Sequence, residues 1–127
     1  MQESLKKDNL IVKLSFELAV ETIDFCSKLD EMKKWSLANQ ISRAALSVGA
    51  NIKEAQNAES KNDFIHKMKI AAKEADELEY YFEVCNASTL LPNANGLLTK
   101  VNSVCKILNK IISTSKTINS KADQHIS

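Results

Sequence analysis

The chain has 127 residues, enough for one domain with a real core. Two glycines and one proline, beside plentiful Lys, Glu, Ala, Leu and Ile, argue against a sheet protein and for an all-helical one, because helix interiors exclude Gly and Pro. The formal net charge is only +1, so no global charge argument favours nucleic acid or a membrane.

The first expected helix runs from about Asp8 to Met32. Ile11, Leu14, Leu18, Phe25, Leu29 and Met32 fall on one helical stripe, and Phe16, Ala19, Ile23 and Cys26 on a second beside it. A face that wide implies contact with more than one neighbour. The polar "KLDEMKKW" reads as a short turn. The second helix is expected over 36–56, with Ser36 as N-cap and Trp35 as a hydrophobic staple. Gly49 falls mid-helix, where it costs about 1 kcal/mol relative to Ala; close approach of another backbone and simple tolerance both remain open. The third helix is expected over 60–87. Ser60 and Asp63 stand close to a capping box, and Phe64, Met68, Ala71, Ala75, Leu78, Phe82 and Cys85 keep a four-three heptad. "STLLPNANG" breaks the pattern as a loop. The fourth helix, over 95–118, carries Leu97, Val101, Val104, Leu108 and Ile111 as its core stripe, and the polar tail 119–127 is expected to fray. No internal repeat is present. Four amphipathic helices with short connections predict a single all-α domain, an antiparallel up-down-up-down four-helix bundle.

The three cysteines, Cys26, Cys85 and Cys105, are odd in number and sit at apolar helical positions. They read as reduced core thiols of a cytoplasmic protein. No CxxC or His/Cys cluster offers a metal site, and no cofactor is expected. "MQESLKKDNL" lacks the apolar run of a signal peptide, and no stretch is long and apolar enough to span a membrane.

Within "QISRAALSVGANIKEA", residues 40–55, Ile41, Ala45, Val48 and Ile52 form an apolar stripe. Gln40, Arg43, Ser47, Asn51 and Glu54 line up directly beside it, within roughly 60° at about 100° per residue. These five read as a hydrogen-bonded network in the bundle or at a subunit boundary, with Arg43 paired to Glu54 or to an acid of the third helix. The alternative is a functional surface for RNA or protein.

Charge is uneven along the chain. Glu74, Asp76, Glu77, Glu79 and Glu83 form an acidic run without a base, and from Val84 to Ala122 there are five lysines (Lys100, Lys106, Lys110, Lys116 and Lys121) and no acid. Lys106 and Lys110 lie four apart on the face away from the core, flanked by Asn102, Ser103 and Thr117. This is either a phosphate-facing strip or a solvated helix face favoured by the helix dipole. Lys100, Lys106, Lys110 and Lys116 are therefore the candidate nucleic-acid-binding residues. Nothing looks catalytic. His66 and His125 have no evident partners in sequence, Ser47 is not in a nucleophile elbow, and no His follows an acid of the third helix at the spacing of di-iron bundles.

"WSLANQISRAALSVGANIKEA" resembles the helix-two signature of the four-helix-bundle proteins first noticed as reading frames within intervening sequences of bacterial 23S ribosomal RNA. The matching residues are Trp35, Leu37, Gln40, Ile41, Arg43, Ala44, Ser47, Asn51, Ile52 and Glu54. "SKNDFIHKMKIAAKEADELEYYFEV" is similar to that family's third helix, and the resemblance covers about residues 8 to 118. Ala55 stands where a glycine usually follows the glutamate, which lets the helix continue further, and Gly49 stands where proline or a small residue is often found. The resemblance implies a left-handed bundle that assembles as a homopentamer. It also implies similarity to the accessory variability determinant protein of diversity-generating retroelements, a basic pentameric barrel that binds nucleic acid and a reverse transcriptase. The expectation is thus a non-enzymatic homo-oligomer that binds structured RNA or DNA. The alternative is a scaffold for a partner protein, with the acidic third and basic fourth helices serving contacts between subunits.

Overall fold

The four amphipathic stretches form four helices: α1 (Gln2–Glu31), α2 (Trp35–Ala55), α3 (Lys61–Ala87) and α4 (Asn95–Ile126). The computed structural model describes residues 2–126, and the side chains of residues 10–118. α1 begins before the expected Asp8, and α4 continues past residue 118. The tail expected to fray is helical to Ile126, and its side chains lie outside those described.

Each helix packs against its neighbours in the chain, and α1 packs against α4 to close the bundle. Contacts along each seam fix the register. Between α1 and α2, the Cys26 thiol donates to the Ala38 carbonyl at 3.5 Å. Between α2 and α3, Tyr81 Oη donates to Gln40 Oε1 at 3.5 Å and Lys67 Nζ to Glu54 Oε2 at 3.1 Å. Between α3 and α4, the Cys105 thiol donates to Asp76 Oδ1 at 3.7 Å. α1 and α3 meet only across the core, where Phe25 and Phe82 pack edge to face with ring centroids 6.0 Å apart.

The apolar stripe of α2 lies in the core: Ile41, Ala45, Val48 and Ile52 are all fully buried. The heptad of α3 behaves likewise, with Met68, Ala71, Ala75, Leu78, Phe82 and Cys85 buried and Phe64 partly so. Small residues at 71 and 75 let neighbouring helices approach. On α4, Val101, Val104 and Leu108 are fully buried, with Leu97 and Ile111 partly buried at the edge. Two hydroxyls also lie inside α1. Ser15 Oγ donates to the Val12 carbonyl and Thr22 Oγ1 to the Leu18 carbonyl, so each is satisfied within its own helix.

The helix ends depart from expectation at three points. Ser36 is not an N-cap: α2 begins at Trp35, Lys34 occupies the cap position without a side-chain bond, and Trp35 is exposed, so it forms no staple. The reason is the turn before it. Lys34 N donates to the Leu29 carbonyl at 2.8 Å and Lys33 N to the Asp30 carbonyl at 2.9 Å, with Lys33 at φ 61°. This is a Schellman closure of α1, and it delivers the chain straight into α2. α2 does not run further for lack of a glycine after Glu54; it stops at Ala55, and Gln56, Asn57 and Ala58 donate to carbonyls three residues back. The Ser60 cap holds: its hydroxyl accepts from Asp63 N at 3.0 Å.

Candidate nucleic-acid interface and polar rim

The α2 polar stripe runs along the outer edge of the α2–α3 seam, and the structure divides it. Gln40 and Glu54, at its two ends, reach across to Tyr81 and Lys67 of α3. Ser47 and Asn51 bond each other within the helix: Asn51 Nδ2 donates to the Ser47 carbonyl at 2.8 Å and to Ser47 Oγ at 3.2 Å. Arg43, in the middle, is exposed, and among the described residues it has no hydrogen bond or ion pair. The expected Arg43–Glu54 pair does not form. Eleven positions along a helix separate the two by about 16 Å at a rise of 1.5 Å per residue, and Glu54 is taken by Lys67. The acids of α3 leave Arg43 unpaired as well. Glu74 of α3, half-buried, is raised above its usual range by burial first and by Glu77 second.

The α4 lysines also divide. Lys100 is tied to α1, with its ammonium bonded to Glu21 and 3.4 Å from Glu17 Oε2. These carboxylates, Glu21 foremost, raise the Lys100 pKa. It is the most enclosed of the four, and its charge is already answered. Lys106 and Lys110 are exposed on the outer side of α4, opposite Val101, Val104 and Leu108. Lys116 is exposed further along, close to Lys69 of α3. Lys69, a second ammonium beside it, lowers the Lys116 pKa. Lys69 is the residue that sequence reading missed. It lies 47 positions from Lys116, and only the register of the α3–α4 seam brings the two together.

The first half of α4 has a different neighbour on the same seam. Burial first, and then Glu79 and Asp76, push the Cys105 thiol up to about 12. The seam therefore runs from acidic, beside Cys105, to basic, beside Lys116. Cys26 is raised to about 11, chiefly by burial, and all three cysteines are unpaired and buried. Among the described residues, no group of three His, Cys, Asp or Glu side chains is placed to hold a metal ion. None of the helices is long and apolar enough, over the described residues, to cross a membrane.

The 23S rRNA-intervening sequence protein family model matches residues 7–110, a span that runs from α1 through the seam residues to Lys110. The chain belongs to this family. A similar solved structure is that of a protein of unknown function from the S23 ribosomal protein family of Bacteroides thetaiotaomicron VPI-5482. It is 35% identical, covers 84% of this chain and 98% of its own, and superposes with a TM-score of 0.79. No curated protein matches the chain. Within the family span lie the whole polar rim of α2 and Lys100, Lys106 and Lys110; Lys116 falls beyond it.

Proposed function

We propose that this chain is a non-enzymatic, cytoplasmic homopentamer of left-handed, up-down-up-down antiparallel bundles that binds structured RNA or DNA along the outer side of α4. The seam contacts support the topology: Cys26 late in α1 meets Ala38 early in α2, and Glu54 late in α2 meets Lys67 early in α3 while Gln40 early in α2 meets Tyr81 late in α3. The α3 heptad, with a period of about 3.5, favours a left-handed supercoil. Buried, unpaired cysteines fit a reducing compartment.

The observation that carries the nucleic-acid reading is the Lys69–Lys116 approach. Lys69 and Lys116 bring two cations together at the α3–α4 seam, and Lys106 and Lys110 add two more on the exposed side of α4. A phosphate backbone answers that charge, and five copies of a short strip act together through effective concentration. Lys100 drops out of the site, and Lys69 enters it.

The test is a fluorescence-anisotropy titration of labelled structured RNA and duplex DNA at 50 and 200 mM salt. The expected result is binding that weakens steeply with salt and is lost in a Lys106→Glu/Lys110→Glu variant of unchanged oligomer mass, while Lys100→Gln binds as before. The second reading, a protein-interaction scaffold without nucleic-acid binding, is favoured by the near-neutral net charge of +1. No binding at 50 mM salt with the oligomer intact would select it.

A further inference from the structure

Two outward faces of the bundle are apolar, and among the described residues nothing covers either. On α1, Phe16, Val20 and Ile23 lie opposite the buried Ile11, Leu18 and Phe25, and Leu46 of α2 extends their surface; Phe16 is 68% and Leu46 52% exposed. On α3, Tyr80 (63% exposed) and Val84 lie away from the buried Leu78 and Phe82. A helix in an isolated bundle needs one apolar stripe, facing inward; α1 has a second one facing out. Contiguous exposed apolar surface of this kind marks a contact.

The two faces differ in what borders them. Beside the α1–α2 face stand exposed Lys13, three residues before Phe16, and Lys53, two helical turns after Leu46, with exposed Asp24 four residues after Val20. Beside the α3 face stand exposed Asp76, Glu77 and Glu83, with exposed Lys73 two helical turns before Tyr80. Burial, then Glu83 and Asp76, raise the Glu79 carboxyl above its usual range. Phe16 and Val20 stand four apart, as do Tyr80 and Val84, so the two stripes have the same spacing. α1 and α3 occupy opposite sides of the bundle, because neither packs against the other along its length.

We infer that the α1–α2 face of one copy of this chain docks on the α3 face of the next. The inference rests on the homo-oligomeric reading above and names the surfaces that make it. Charge selects the occupant. Contact of like with like would set Lys13 and Lys53 against themselves and leave the α3 acids unanswered, whereas head-to-tail contact sets the base-bordered face on the acid-bordered one. Each copy then uses each face once, and such a head-to-tail contact forms a ring where its rotation closes. It leaves the outer side of α4 uncovered, with Lys106 and Lys110 open to solvent.

The experiment uses the full chain and measures mass in solution by native mass spectrometry and light scattering. Phe16→Asp and Tyr80→Asp each disable one face at an exposed position. Each variant is expected at single-copy mass, with helical circular dichroism retained, at concentrations where the unaltered chain is assembled. Mixed in equal amounts they are expected to form a two-copy species, because each retains the face that the other has lost. A mixture that stays single-copy, or a Tyr80→Asp variant that keeps the full assembly, overturns the inference. Charge reversal gives a second route should Phe16→Asp unfold. Lys13→Glu/Lys53→Glu should weaken assembly about tenfold or more, and adding Glu77→Lys/Glu83→Lys should restore it; absence of that rescue overturns the inference too. An unaltered chain of single-copy mass would remove the oligomer reading itself, whereas intact assembly in every variant would remove only this assignment of faces.

Discussion

Replacing Gly49 by alanine should stabilise the protein. Gly49 sits in the middle of α2, half-buried against α1, with ordinary helical backbone and no positive φ. A methyl group built there would meet the Ser15 carbonyl oxygen at 3.6 Å and its carbon at 3.9 Å. Both are ordinary van der Waals distances, so no atom has to move. The helix-propensity gain of about 1 kcal/mol is then realised in full. For a domain of this size, about 1 kcal/mol corresponds to a rise in Tm of about 4 °C. The assay is thermal unfolding by circular dichroism at one fixed protein concentration, because assembly makes Tm concentration-dependent. Gly49→Val is the internal control. Its branched side chain reaches past 3.6 Å into the Ser15 backbone and should lower Tm. A lower Tm for Gly49→Ala would refute the reasoning, because it would mean that α1 and α2 approach more closely than the Ser15 distance allows.

Other perturbations follow from the helix ends, the thiols and the α2 rim. Lys33, at φ 61°, occupies a backbone region that disfavours any residue with a Cβ, so Lys33→Gly should raise stability by about 1 kcal/mol, read from the urea midpoint. Ser60→Ala removes the hydroxyl that accepts from Asp63 N and should cost about 1 kcal/mol in the same assay. Cys26 and Cys105 keep their protons in the fold up to about 11 and about 12, so the unfolded chain loses its thiol protons first as pH rises. Stability should therefore fall above about pH 8.5, and a disulfide reagent at pH 8 should label the native thiols far more slowly than the unfolded ones. Arg43→Ala should leave the unfolding free energy within about 0.5 kcal/mol of the parent, because the side chain is exposed and unpaired among the described residues; a larger loss would mean that a second copy or a ligand holds the guanidinium.

Most of the core was readable from period, although Met32, expected on the α1 stripe, lies past the end of that helix and is exposed. Ile41, Ala45, Val48 and Ile52, and the α3 heptad from Met68 to Cys85, are buried as their spacing requires. The outer stripe of α1 was visible too, in Phe16 and Ile23, but spacing does not tell an inner face from an outer one when both are apolar. The start of α2 was misplaced because Ser36 has the composition of a cap, while a backbone closure through Lys33 leaves no glycine to signal it. The site was legible only one helix at a time. A charge strip on α4 could be read from Lys106 and Lys110, but Glu17 and Glu21 neutralise Lys100 across a seam, and Lys69 joins Lys116 across another. Such pairings depend on register between helices, which no local pattern contains.

The α2 rim and the two apolar faces bear on one question: what each helix does with the side it does not bury. α2 spends most of its rim inside the chain, through Gln40 to Tyr81, Glu54 to Lys67 and Ser47 to Asn51, and leaves one guanidinium exposed. On the outer side of α1, the apolar Phe16, Val20 and Ile23 are exposed instead. Exposed apolar area has no internal compensation, whereas an exposed lysine has water. The surfaces that most need a partner are therefore those of α1 and α3, and the α4 lysines are stable without one. Assembly through α1 and α3 and ligand binding through α4 thus draw on different residues, so substitutions at Phe16 or Tyr80 and at Lys106 or Lys110 can separate the two.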